Sequence, residues 1–248
     1  MPADIQSSDI LGATQSLKKP DWPLPKRTLI LESVYIPEIL KVPLKSLGQG
    51  FPSLYPSKVN KPFLRTIEAL VDLTVIIDCH CRGVKPIASQ LCFIDRRNAV
   101  QHQLLSLPSG LELKQGEVSS TSLYECVRLA TMIYSAGVTF PLPSMTGVFH
   151  RLAITLRREL EISRADLCWR SSSKVLLWIL VLGGIAASRT KERSWYVQNL
   201  LTVLSAMKFV TWNPVSIELR NFLWLDSACD SGGRELWSEV KSLERQNP

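Results

Sequence analysis

The sequence predicts an all-α fold: a single helical domain of about seven or eight helices around a buried central helix at about 174–188. Three observations lead there. From Phe63 onward, apolar residues recur at spacings of three and four, the period of a helix face. No stretch alternates with a period of two, and no segment repeats. The third is "KVLLWILVLGGIAASR" (174–189), which carries no charge between Lys174 and Arg189. Its wholly apolar or glycine run, Val175 to Ala187, is 13 residues. As a helix that is about 20 Å, against about 30 Å of bilayer core. It also lies too deep in the chain to be a signal peptide. The run therefore predicts a helix enclosed by other helices. Gly183 and Gly184 each cost about 1 kcal/mol inside a helix, so the pair either ends it or admits a close neighbour.

The elements follow in chain order. Residues 1–62 hold nine of the 15 prolines and are expected to be a Pro-rich, partly disordered segment, with 1–25 disordered or extended. "TLILESVYIPEILKVPLKSL" (28–47) is apolar enough to dock as short helical turns. The all-α domain is expected over 63–248. Its first helix carries Leu64, Ile67, Leu70, Leu73 and Ile77 on one face. "FIDRRNAVQHQLLSL" follows, with Asp95 as its cap, and Pro108-Ser-Gly110 breaks it. Ser122-Leu-Tyr-Glu125 reads as a capping box opening the next helix, with Leu123, Val127, Ala130, Ile133 and Tyr134 inside. "FPLPSMTG" (140–147) ends that helix. Phe149, Leu152, Leu156 and Leu160 form the next stripe. After the central helix, Thr190 is the expected cap of a helix burying Trp195, Val197, Leu200, Leu201, Leu204 and Met207. Asn213-Pro214 is a cap followed by proline at the first helical position, opening a helix through "VSIELRNFLWLDSAC". Gly232-Gly233 separates a last helix, from about Arg234 to Leu243.

Composition narrows the function classes. With 46% hydrophobic and 21% charged residues, the chain has ample material for a core. The net charge of +7 is spread out, +3 over residues 1–63 and +4 over the rest, whereas nucleic-acid surfaces cluster their charge. The six cysteines, without a secretory leader, are expected to be reduced thiols, several of them buried.

Several stretches suggest chemistry and are read structurally. "DCHC" (78–81) juxtaposes metal-ligand types, but neighbours on a helix point about 100° apart and rarely share a tetrahedral metal. Gly48-Gln-Gly50 lacks the strand and third glycine of a dinucleotide site. Three histidines without a nucleophile elbow do not make a triad. Asp226 and Asp230 lie four apart and are read as solvated or salt-bridged rather than as an acid–base pair. In "DRRNAVQHQ" (95–103), Arg96, Arg97, Asn98 and Gln101 could meet phosphate or a partner. Intramolecular bonds are the favoured reading. The helical tryptophans are read as core filling.

Five stretches, in order, carry a resemblance: "DRRNAVQHQLLSLP" (95–108), "YECVRLATMIYSAGVTFPLP" (124–143), "KVLLWILVLGGIAA" (174–187), "ERSWYVQNLLTVL" (192–204) and "LRNFLWLDSACDSGGRELWSEV" (219–240). Roughly residues 65–243 resemble the carboxy-terminal regulatory region of fungal Zn₂Cys₆ transcription factors. The matching positions are Arg96, Arg97, Asn98, Gln101, Pro141, Pro143, Trp178, Gly183, Gly184, Trp224 and Asp226, all expected to be structural. The resemblance implies a non-enzymatic, all-α regulator of transcription in the nucleus, acting through protein partners or self-association, with a small effector possible. It implies no cofactor for this region. Zinc would belong to an amino-terminal C-x₂-C-x₆-C cluster, and the gaps here of 1, 10, 33, 41 and 60 residues fit none. DNA contact is therefore expected only indirectly or through a cluster outside this chain, and without one a cytoplasmic location is also open. The alternative is a helical small-molecule-binding protein or an enzyme unrelated to transcription, which a buried pair of titrating groups in a pocket would favour.

Overall fold

Apolar stripes at helical spacing need partners, and the helices of this chain find them in one another. The computed structural model describes residues 3–23, 36–54, 61–84, 89–113, 118–141, 146–163 and 172–246. Ten α-helices and no strand occur among them: α1 (Ala3–Ser16), α2 (Glu38–Lys41), α3 (Lys61–Cys81), α4 (Gln90–Ser106), α5 (Val118–Tyr134), α6 (Thr146–Ile162), α7 (Ser173–Ala186), α8 (Arg193–Ala206), α9 (Trp212–Leu219) and α10 (Asp226–Gln246). Eight of them, α3 to α10, correspond to the seven or eight expected. No helix among the described residues is long and apolar enough to cross a membrane.

The central helix is α7. Trp178, Ile179 and Val181 are fully buried, and α6, α8, α9 and α10 all pack on it. The glycine pair does not end it. Gly183 faces α8, where a Cβ would stand 2.4 Å from the Tyr196 ring. Gly184 faces α10, where a Cβ would stand 2.5 Å from Leu236. Arg193 closes the carboxy end of α7 by donating to the Gly184 carbonyl at 2.5 Å, and it also holds Glu239 of α10 at 2.8 Å. A cation is favourable at that end of a helix dipole.

A second helix shares the centre, which the apolar pattern did not predict. Every residue of α5 from Leu123 to Tyr134 is buried, including Glu125 and Arg128. Buried charges persist only when paired. Here Arg128 grips Glu125 one turn away through two bonds, 2.6 and 2.8 Å, and Glu125 also accepts from the Gly110 amide at 2.8 Å. Thr131 turns its hydroxyl back onto the Val127 carbonyl, and Tyr134 meets Thr74 of α3 at 2.9 Å.

The amino-terminal segment departs from expectation. Residues 3–16 are the helix α1, packed on α4, rather than extended chain. Their helicity rests on a tertiary partner: Ile10, Ala13 and Thr14 are buried. In the described part of 28–47, short turns dock as expected, with Ile36 and Leu40 against Val75, Ile76 and Cys79 of α3. The G-x-G stretch is a docking turn. Gly48 and Gly50 donate to the Phe222 and Asn221 carbonyls, at 3.2 and 2.7 Å, with Gly48 at φ +80°. The turn delivers Phe51 edge-on to Trp178 at 5.3 Å.

Several expected boundaries are corrected. Helix α4 is capped by Ser89, whose hydroxyl accepts from the Cys92 amide, and Asp95 lies exposed within it. Helix α5 begins at Val118, so Ser122 and Glu125 are interior. Thr190 does not cap α8; its hydroxyl donates back to Ala187, and Glu192 is the residue before the helix. Thr211 precedes α9, which stops at Leu219. Helix α10 starts at Asp226 and runs straight through Gly232 and Gly233. Those glycines are packing sites: a Cβ on Gly233 would stand 2.6 Å from Trp212 and 3.0 Å from Trp224.

Candidate functional site

The residues singled out in the sequence assemble with one another. Arg96 is buried and reaches Asp72 of α3 at 2.6 Å. Burial raises the Asp72 carboxyl above its usual range, with Arg96 working against it. Arg97 lies over the Phe140 ring, 5.0 Å to the centroid, and its burial lowers the guanidinium below its ordinary value. Asn98 is buried in the same turn. Gln101 is the hub of a buried relay. Its amide donates to Thr14 of α1 at 3.0 Å and its oxygen accepts from Ser135 at 2.7 Å. Because Ser135 spends its proton there, Thr139 is the donor in their 2.9 Å contact. Ser135 and Thr139 bound the π-turn that ends α5 before Phe140 and the exposed Pro141. Pro143 lies outside the described residues, as do Cys168 and Trp169.

The second group forms around Trp178. Its indole N–H donates to the Leu223 carbonyl at 2.9 Å, and its ring stacks on Phe222 at 5.6 Å. Trp224 is fully buried beside Trp212. Asp226 accepts three contacts from Arg220, the shortest at 2.7 Å. Asp230 accepts from the Trp212 indole at 2.9 Å and from Arg234 at 2.6 Å. The two aspartates are ion-paired separately. His102 bonds the Trp22 carbonyl at 2.8 Å and faces Ser106. At the end of α3, Asp78 pairs with Arg82, and no group of three or more metal-ligating side chains converges among the described residues.

A larger cleft lies elsewhere. A cavity of about 860 Å³ opens between the start of α6, the end of α7 and the turn before α8. Phe149, Ile185 and Ala186 give it apolar walls, and His150, Arg189 and Lys191 give it polar ones. Glu192 stands beneath His150, its side chain 4% exposed, with Oε2 3.6 Å from Nδ1. That separation is beyond a hydrogen bond, and both atoms are buried without a partner. Arg189 and Lys191 are exposed and make no ion pair among the described residues. Arg189 holds φ +61°, a left-handed backbone that usually falls to glycine after a helix.

None of the matching positions of the resemblance lines this cleft, and of the residues weighed for chemistry only His150 does. Phe149 was legible only as the first residue of the α6 stripe, and His150 only as one of three histidines that make no triad. The cleft is made by helix ends, where periodicity says nothing about which side chains meet. The one signal in the sequence is a pair of cations, Arg189 and Lys191, directly after the longest apolar run. No family model, curated protein or solved structure matches this chain.

Proposed function

We propose that this chain is a non-enzymatic regulatory domain of the kind found in fungal zinc-cluster transcription factors. It acts in the nucleus through protein partners or self-association, and it meets DNA indirectly or through a cluster outside this chain. One observation carries the reading: the stretches that resemble the family are each other's packing partners. Arg97 and Gln101 meet Phe140 and Ser135. Trp178 meets Phe222 and Leu223. Gly183 and Gly184 meet Tyr196 and Leu236. A motif set whose members specify one another's positions is what a shared helical scaffold requires. The supporting force is that of a fold, and the regulatory role follows the resemblance.

The cleft favours a second reading, a helical small-molecule-binding protein. A cavity with apolar walls and a few convergent polar groups is the usual form of a ligand site.

The test is a tethering assay. The chain is fused to a heterologous DNA-binding domain in a fungal cell carrying a reporter with the matching sites. Reporter output is expected to change at least severalfold, up or down, relative to the DNA-binding domain alone. The same fusion carrying Trp178→Asp is expected to lose the effect. An intact, nuclear fusion that leaves the reporter at its baseline would overturn the transcriptional reading.

A further inference from the structure

We infer that the cleft between α6, α7 and the 188–191 turn binds an amphipathic monoanion: an apolar, ring-sized body bearing one carboxylate or sulfonate. The inference deepens the small-molecule reading above. Four features of the cleft assign the ligand class. Its volume of about 860 Å³ lies within the range of small-molecule sites. Its walls, Phe149, Ile185 and Ala186, offer an aromatic face and aliphatic surface without hydrogen-bonding groups on their side chains. Arg189 and Lys191 stand exposed at its polar side, two cations two residues apart with no carboxylate paired to either among the described residues. No acid lines the cleft among the described residues, and Glu192, buried under His150, is poorly placed to receive a cationic head group.

The backbone supports the same assignment. Arg189 occupies the left-handed region at φ +61°, where a side chain other than glycine or asparagine is disfavoured. Lys208, at the end of α8, has the same conformation at φ +57°. Of the two, Arg189 lines this cleft and Lys208 does not. Arg189 is thus set by the turn at the rim of the cleft, next to its apolar walls. A charge contact at the edge of low-dielectric material is stronger than one in open solvent.

The test uses the purified full chain and the probe 1-anilinonaphthalene-8-sulfonate, an apolar two-part aromatic with one sulfonate. Its neutral counterpart, N-phenyl-1-naphthylamine, serves as the control. The fluorescence titration with the anionic probe is expected to saturate at one site. The double variant Arg189→Gly/Lys191→Gln is expected to weaken that binding about tenfold while changing the neutral probe less than twofold. Arg189→Gly relieves a strained backbone, so the variant's melting temperature is expected to be no lower. Lys208→Gly, which makes the same backbone change away from the cleft, is expected to bind both probes as the parent does. The inference fails if the folded parent shows no saturable site. It fails equally if the double variant binds the anion like the parent, or loses both probes together. The assay measures binding alone, so its failure leaves the tethering result standing, and the converse also holds.

Discussion

Trp178→Asp is expected to leave the chain unfolded. Trp178 has no exposed surface. It touches Phe51 edge-on at 5.3 Å, stacks on Phe222 and donates to the Leu223 carbonyl at 2.9 Å. Truncating a buried tryptophan alone costs about 3–5 kcal/mol. An aspartate there adds an unpaired buried carboxylate, a further cost of several kcal/mol. The sum rivals the whole stability of an ordinary domain, about 5–15 kcal/mol. Leu182→Asp, at 2% exposure on the same helix, is expected to do the same. Trp178→Phe keeps the ring and loses the indole bond, and is expected to stay folded with a lowered melting temperature. Circular dichroism and size-exclusion chromatography read all three. An aspartate variant that elutes and melts like the parent would mean α7 is not at the centre.

The glycines supply the second large effect, and it is a ranking. Gly183→Ala places a methyl 2.4 Å from Tyr196 Cε1 and 2.7 Å from Cζ. Tyr196 cannot swing aside freely, because its hydroxyl donates to the Ala153 carbonyl at 2.8 Å and its ring packs on Trp195 at 5.0 Å. Overpacking of this kind costs about 1–3 kcal/mol, against about 1 kcal/mol gained in helix propensity. Gly233→Ala is expected to cost as much, since it meets Trp212 at 2.6 Å and Trp224 at 3.0 Å. Gly184→Ala meets the terminal methyls of Leu236, a side chain whose χ2 can turn where an aromatic ring cannot, and is expected to cost less. Gly232→Ala meets only Ile185, at 3.2 Å, and is expected to be near neutral or stabilising. Urea denaturation of the four variants measures the order. Equal effects at Gly232 and Gly183 would show that conformation, not close approach, explains the glycines.

The helical period was legible wherever a helix has one wet face. It served for α3, α6 and α8, whose apolar stripes the sequence displays. For α5 it gave the helix and its inner face but not the burial of the other face, because Glu125 and Arg128 look solvated until the bond between them is known. It misjudged α10, where two glycines read as a break and are instead contact points for Ile185, Trp212 and Trp224. It missed α1, whose weak amphipathicity depends on the α4 surface it covers. Of the residues singled out, Arg96 pairs with Asp72 and Gln101 bonds Thr14 and Ser135 within the fold, whereas Arg97 lies over the Phe140 ring with its Nε unbonded. The cleft was not legible, since Phe149, His150, Ile185, Arg189 and Lys191 come from three helix ends brought together only by the fold.

Native-state hydrogen exchange across α7 tests the central claim most directly. A helix enclosed on all sides opens only when the whole molecule does. The amides of Leu177 to Leu182 are therefore predicted to exchange with the free energy that urea denaturation gives for global unfolding. The exposed end of α10, Lys241 to Gln246, is predicted to exchange far sooner. Exchange of the α7 amides through a smaller opening, at or before the end of α10, would contradict the account.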